Sequence, residues 1–402
     1  MNFKNSALLI CLFSIFLFFQ ANAYAENTFT QRELLLSHQF SSLENNLALT
    51  NDNYLNGSLS LNDYYAVTRM FWLKRDVSDP ALFNALKSWL KAKPDSAYAH
   101  VLMGVYWSDK AHQARGGKWA KDTADSKIST MNKYFITSWD YLQKGLQLNP
   151  AILQAYVTQL SITRTSSHFG SPQQLMQKSI PAAMKHKIEV WDTLLQTSIP
   201  RWGGSYQRMD YIIDQEIPVF IPNLSDVERQ ILNDTITYDR VDTMARNDKN
   251  KMALKLATKS IDKKTQNAAI YTVAAKVAYK LNDFKTCYDY AGIAVRDRPW
   301  SASSWKKRGL CAIKLQHWQQ ANEAFRYTVF IKGINKYDLF NLGMTYMYLE
   351  QFDKAYASFK KADELDPEYV KYTDMYTSYI EKEKTDQMGL EGTDIYKMIG
   401  TL

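Results

Sequence analysis

An all-α fold, a solenoid of helical hairpins with an irregular helical N-terminal half, is what this 402-residue sequence predicts, and three observations predict it. Ala275, Gly309 and Gly343 stand 34 residues apart, and small, aromatic and proline positions keep that phase from about Ala268 to Tyr369. A period of this length marks stacked hairpins, each burying its apolar face on the next. Elsewhere apolar residues recur at three- and four-residue spacing, as one face of a helix requires. The alternation that marks strands is scarce.

Residues 1–25 read as a targeting segment: Lys4 gives the positive start, Ala7 to Phe19 the apolar run, and Ala21-Asn22-Ala23 or Ala23-Tyr24-Ala25 a small-residue cleavage site. That run is too short to span a bilayer, and no later stretch is long and apolar enough, so an exported chain with no membrane span is expected. Loss of the segment removes Cys11 and leaves Cys287 and Cys311 as an even pair in an oxidising compartment. Adjacent helices would carry them, and the spacing leaves open a bridge or two separate small core residues.

An irregular domain is expected over 26–222. Its candidate helices are 31–49, 61–74, 80–91, 97–114, 131–147, 151–166, 172–186 and 205–215. Met103-Gly104 and Trp107 pattern a first helix; Trp139, Leu142, Gly145 and Asn149-Pro150 pattern a second helix and its stop. Between them residues 115–130, rich in Lys, Asp, Ser and Gly, read as an inserted loop, and such insertions emerge on one face of a repeat hairpin. At 199–205, Pro200 stops a helix, Gly203-Gly204 allow backbone angles closed to other residues, and Ser205 is placed to cap the next helix. Trp202 is expected buried as the pivot of that corner. The Arg-Trp-Gly-Gly-Ser element, with Ala114-Arg115-Gly116-Gly117 and 146–150, resembles a bacterial family known only as a domain of unknown function, over about 97–215. That family implies no activity.

Over 223–384 the repeats take over. The third copy, 336–369, sets out Leu342-Gly343, Tyr346, Ala355, Phe359, Ala362 and Pro367. Gly343 and Ala355 are small where the helices of one hairpin cross, Phe359 fills space between hairpins, and Pro367 ends the second helix. The middle copy, 302–335, keeps Trp305, Gly309, Ala321 and Phe325; the first, 268–301, keeps Tyr271, Ala274-Ala275, Ala278, Cys287, Ala294 and Pro299. A degenerate unit precedes them, with Val241, Ala253 and Ala257 in phase. Residues 370–384 read as the capping helix such arrays need, and 385–402 as a tail.

These residues resemble the tetratricopeptide repeat family, which implies a helical superhelix that binds proteins or peptides. In that family the first helix of each hairpin lines the concave face. The matching positions here are Lys276 and Lys280, then Lys306, Leu310 and Lys314, then Tyr337, Phe340, Asn341, Met344, Met347 and Tyr348. Such a groove, basic at one end and aromatic and Met-rich at the other, suits an extended or helical peptide with acidic residues beside large apolar ones. Thr272 and Tyr337 stand where clamp residues for a terminal carboxylate would be expected, which disfavours chaperone tails. Phe340, Met344 and Met347 have two possible fates: an open groove, or cover by helix 370–384 or the tail.

Net charge is +8, with acidic residues interspersed almost throughout, and Lys251, Lys255, Lys259 and Lys263 share a helix face best read as solvated. No nucleic-acid motif accompanies them, so no nucleic-acid partner is expected. Arg115-Gly116-Gly117-Lys118 lacks the earlier Gly and following Ser or Thr of a phosphate loop. The six histidines, His38, His100, His112, His168, His186 and His317, make no zinc motif, and His100 and His112 read as partly exposed surface residues. Asp122 and Asp125 are a loop pair of ordinary composition. No metal, cofactor or catalytic residue is expected. The reading is an exported scaffold for a protein or peptide. Two alternatives stand beside it: an envelope hydrolase sited near Arg115 or Arg201, and an anion or polysaccharide binder. At the corner, Arg201, Trp202, the Gly203-Gly204 amides and Ser205 would form an anion site.

Overall fold

The computed structural model describes residues 30–69, 80–117, 122–265 and 267–383, and among them there is no strand. The targeting segment and the tail from 385 lie outside the described residues. The described residues fall into two compact units, one ending at Leu224 and one starting at Ser225. No described helix is long and apolar enough to cross a membrane.

The first unit opens with α1 (residues 30–36), α2 (Phe40–Leu55), α3 (Leu61–Arg69) and α4 (Pro80–Ala92). The helix expected over 31–49 is two helices, because His38 turns left-handed at φ 61° and the Gln39 amide closes back on the Leu34 carbonyl at 2.8 Å. α5 (Ala97–Arg115) and α6 (Asp125–Leu148) form the main hairpin. Its helices touch through glycine: a methyl group on Gly104 would sit 2.7 Å from Leu142 Cγ, and one on Gly145 2.6 Å from Val101 Cγ2. Ser138 Oγ donates to the Gly104 carbonyl at 2.6 Å across the same contact. The loop expected over 115–130 is shorter than that. Residues 125–130 are the first turns of α6, where Asp125 suits the positive end of the helix dipole.

α7 (Leu153–Thr165) packs against α5, and buried Asn51 anchors it to α2 by donating to the Ala151 carbonyl at 3.0 Å and accepting from the Leu153 amide at 3.3 Å. The helix expected over 172–186 is broken into α8 (Pro172–Lys178) and α9 (Ala182–Lys185), because Pro181 has no amide to continue the first. α10 (Ile188–Thr197), absent from the sequence reading, is buried on nearly every side although Glu189, Asp192 and Gln196 share one of its faces. A corner follows at 199–205, then α11 (Tyr206–Tyr211), one wide π turn at Ile212–Glu216, and α12 (Ile217–Phe220).

The second unit runs α13 (Asp226–Arg246), α14 (Asn250–Asp262), α15 (Ala268–Lys280), α16 (Phe284–Asp297), α17 (Ala302–Lys314), α18 (Trp318–Lys332), α19 (Lys336–Tyr348), α20 (Phe352–Leu365) and α21 (Val370–Glu383). Its hairpin turns repeat with the sequence period. Asp248, Asn282, Gln316 and Glu350 are all left-handed, at φ 54°, 61°, 58° and 59°. The amide after each returns to a carbonyl five residues back: Lys249 to Met244, Asp283 to Ala278, His317 to Ala312 and Gln351 to Tyr346, at 2.9–3.0 Å. Hairpin α13–α14 shares this closure, so the degenerate unit is a full member of the array.

Inside each hairpin, residue size is traded across the contact. Gly309 faces the Phe325 ring and Gly343 the Phe359 ring, with a methyl on either glycine falling 2.8 Å and 2.6 Å from ring carbon. In the first copy the same positions are Ala275 and Ala291, both buried. Cys287 and Cys311 are bridged across α16 and α17, with Cα atoms 6.0 Å apart. Buried Asp234 fastens α13 to the end of α14 by accepting from Ser260, Thr265 and, at 2.7 Å, Gln230. Burial pushes its carboxyl above the usual range against those hydrogen bonds. α21 closes the array with Thr373, Thr377 and Ile380 turned inward.

Candidate functional site

Two places draw together the residues that the sequence singles out, one in each unit. In the second unit, first helices α15, α17 and α19 carry the expected lysines and aromatics, but three of the lysines are already engaged. Lys276 Nζ lies 3.4 Å from Asp242 Oδ1, whose other oxygen takes Arg246 Nε at 2.8 Å. Lys280 pairs with Asp248 and donates to the Ala245 carbonyl, both at 3.0 Å. Lys306 reaches Asp338 at 2.6 Å, a carboxylate with no exposed surface.

The residue the sequence reading missed is Lys307. Its Nζ stands 4.5 Å from the centre of the Tyr279 ring, half-buried, and no carboxylate pairs with it among the described residues. Burial, and then the charges of Lys276 and Lys306, push its ammonium down to about 8. The signal was present: Lys307, Leu310 and Lys314 keep the i, i+3, i+7 spacing of one helix face. Lys314, exposed, stands 6.0 Å from the Phe284 ring.

The aromatic end is partly closed. Phe340 packs on Phe359, Tyr369 and Tyr376 at centroid distances of 5.8, 5.8 and 5.9 Å, so the short turn at Pro367–Tyr369 and α21 cover it. Met344 and Met347 are half-buried in the same cluster. Tyr337 and Tyr348 remain open, each 54% exposed, with Tyr348 stacked on Trp318 at 3.8 Å. Asn341 Nδ2 donates to the Tyr337 carbonyl at 2.6 Å and so holds its own helix. A surface hollow of about 360 Å³ lies beside Tyr337, between Tyr369 and Tyr372 and the Lys336–Asp366 pair.

The second place is the corner of the first unit. Ser205 caps α11 as expected, its Oγ accepting from the Arg208 amide at 3.1 Å. Gly203 is left-handed at φ 87°, and a methyl on Gly204 would lie 1.8 Å from the Ser198 carbonyl oxygen, so the corner admits nothing larger there. Two expectations are corrected. Trp202 is not a buried pivot: it is 39% exposed, with the Arg164 guanidinium 5.3 Å over its ring. Nor are the glycine amides open to an anion, because Gly203 N donates to the Pro200 carbonyl at 3.0 Å and Gly204 N to the Ile199 carbonyl at 3.2 Å. The turn consumes its own donors. Arg201 is exposed beside them.

Arg115 closes α5 before left-handed Gly116, at φ 76°. His112, one turn earlier, is partly exposed, as expected. It lies edge to face on Phe135 at 5.2 Å, and burial, followed by the Arg164 and Arg115 charges, pushes it down to about 4, neutral at ordinary pH. His100 instead contacts the Pro94 carbonyl at 2.8 Å. Among the described residues no three His, Cys, Asp or Glu side chains gather as a metal would require.

No curated protein matches the sequence. Two solved structures resemble it at large coverage and low likeness. One is titled "Crystal structure of APC/C hetero-tetramer Cut9-Hcn1" (11% identity, 94% of this chain and 73% of that one, TM-score 0.33). The other is titled "Crystal Structure of the Yeast Tom70" (9% identity, 94% and 99%, TM-score 0.34). The family described as "Domain of unknown function (DUF4034)" matches residues 28–183, reaching further toward the N-terminus than the expected 97–215 and stopping before the corner. Residues 339–369 match the family described as "Tetratricopeptide repeat", so the first unit carries a match to the uncharacterised family and the second a match to a single repeat.

Proposed function

We propose that this chain is an exported scaffold whose repeats hold a peptide along the first-helix face of α15, α17 and α19, with an acidic side chain of the partner on Lys307. The observation that carries this reading is a half-buried lysine without a carboxylate partner among the described residues, beside two lysines that have one. A half-buried ammonium held only against the face of the Tyr279 ring is partly desolvated without a counter-charge, and a partner's carboxylate would relieve that cost. Leu310, one turn along α17 from Lys307, and exposed Tyr337 on α19 offer apolar contact along the first-helix face, which fits an acidic residue in company with large apolar ones. Phe340 belongs to the capped end and not to this face. Export is supported by the leader-like residues 1–25 and by the Cys287–Cys311 bridge, a bond at home in an oxidising compartment.

Selection of a random displayed peptide library on the full chain tests the reading. The expected outcome is a consensus of Asp or Glu flanked by Leu, Phe or Met, lost on Lys307→Gln. A consensus without acidic residues, or one that survives Lys307→Gln, would overturn it.

A further inference from the structure

Three tyrosines of the second unit come together where α19 begins and α20 gives way to α21. Tyr337 stands in the first turn of α19, Tyr369 ends the short turn at Pro367–Tyr369, and Tyr372 stands in the first turn of α21. The rings of Tyr337 and Tyr369 meet at 88° with centroids 5.7 Å apart, and those of Tyr369 and Tyr372 at 52° and 5.0 Å. Rings set at such angles wall the hollow of about 360 Å³ and give it no flat floor. Lys336, Asp366, Glu368 and Lys371 complete its lining. The chain's own cations already sit on these rings. Lys336 Nζ lies 5.0 Å from the centre of Tyr337 and 5.3 Å from that of Tyr369, and Lys371 Nζ lies 5.1 Å from that of Tyr372. Lys336 is neutralised by Asp366. Lys371 and Glu368 are exposed, and neither has an ion-pair partner among the described residues.

We propose that this hollow binds a small quaternary ammonium compound, its nitrogen seated on the Tyr372 ring in place of the Lys371 ammonium and Glu368 serving as counter-charge. The face of an aromatic ring carries negative partial charge, and the two lysines mark where that charge is felt. An anion would meet those ring faces and Glu368 with one uncommitted lysine to hold it, since Lys336 is spent on Asp366. A sugar ring would need a flat ring to stack upon, and these rings converge at steep angles. A primary ammonium gains little, because Lys371 already supplies one from the chain itself, and it leaves three hydrogen bonds to water behind. A quaternary nitrogen donates none and presents a rounded shell of methyl groups, so it gives up least on entering. The hollow shares Tyr337 with the first-helix face, but the proposal does not rest on a peptide being held there.

Saturation-transfer NMR titration of the full chain tests it, with three probes: choline, the neutral alcohol in which carbon replaces the choline nitrogen, and ethanolamine. No peptide is present, so the outcome is separate from that of the peptide selection. Choline is expected to bind, with the neutral alcohol and ethanolamine each weaker by roughly twofold to thirtyfold, the range of one cation–π contact. Tyr372→Leu should weaken choline by a similar factor and leave the alcohol unchanged, while Tyr372→Phe, which keeps the ring, should retain choline. Glu368→Gln should weaken choline by roughly twofold to fivefold, as for an exposed ion pair. Both side chains are exposed, and far-ultraviolet dichroism of each variant guards against misfolding. Equal binding of the neutral alcohol would make this an apolar hollow and overturn the proposal. So would equal binding of ethanolamine, no binding of choline, or a folded Tyr372→Leu chain that binds choline unchanged.

Discussion

Replacing Gly343 with Ala probes how the repeat interior is built. The new methyl would sit 2.6 Å from Cε1 and 2.8 Å from Cδ1 of Phe359, a ring with no exposed surface. Ordinary contact needs about 3.5 Å or more, so the ring must shift in a close-packed core, at about 1–3 kcal/mol. Alanine in mid-helix returns about 1 kcal/mol, leaving a net loss of about 0–2 kcal/mol. Phe359→Ala alone should cost about 3–5 kcal/mol. In the double variant the clash is gone while the helical gain remains, so the loss should be about 1–3 kcal/mol less than the sum of the singles. The first copy already carries that solution, with Ala275 and Ala291 at the matching positions. Hydrogen exchange across α19 and α20, which reads local opening free energy, is the assay. Singles that add to within about 0.5 kcal/mol would refute the size exchange.

Other perturbations give separate readings. Reducing the Cys287–Cys311 bridge, which closes a loop of 24 residues, should destabilise the second unit by about 3 kcal/mol in a denaturant titration with and without reductant. Gly203→Ala meets only left-handed strain and should cost about 1–2 kcal/mol, whereas Gly204→Ala meets backbone and should cost more than about 3 kcal/mol. Melting of the two variants distinguishes them, and equal losses would contradict the corner geometry. His112 titrates near 4 folded against 6.5 unfolded, so between those values the unfolded chain holds the extra proton. Stability should therefore fall as pH drops from about 6.5 to 4, by up to about 3 kcal/mol, and His112→Phe should flatten that limb in urea titrations at graded pH.

The repeats were legible in the sequence because their constraints are local and periodic. Gly309 and Gly343 announce the close contact, and Pro299 and Pro367 the helix ends. The left-handed turn residues Asp248, Asn282, Gln316 and Glu350 were not legible, since any polar residue tolerates the position at modest strain and only the backbone shows them in register. α10 was missed although Glu189, Asp192 and Gln196 keep helical spacing, because it is short and no capping side chain at Lys187 marks its start, and the 172–186 stretch was read through Pro181 although that proline breaks it. At the candidate sites, composition located the lysines but not their partners. Asp242, Asp248 and Asp338 come from neighbouring hairpins, and only folding reveals that Lys276, Lys280 and Lys306 are spent while Lys307 is not. The corner failed in the same way: glycine amides that look open in sequence are closed by Pro200 and Ile199 carbonyls.

Coupling between Lys307 and a carboxylate of the bound peptide tests the central claim most directly. Fluorescence polarisation of an acidic-apolar peptide and its Glu→Gln form, each against the natural chain and Lys307→Gln, closes a double-mutant cycle. The account predicts a coupling of about 1–3 kcal/mol, and binding that weakens as pH rises through about 8, where the ammonium loses its proton. Additive losses, with no change across that pH range, would contradict it.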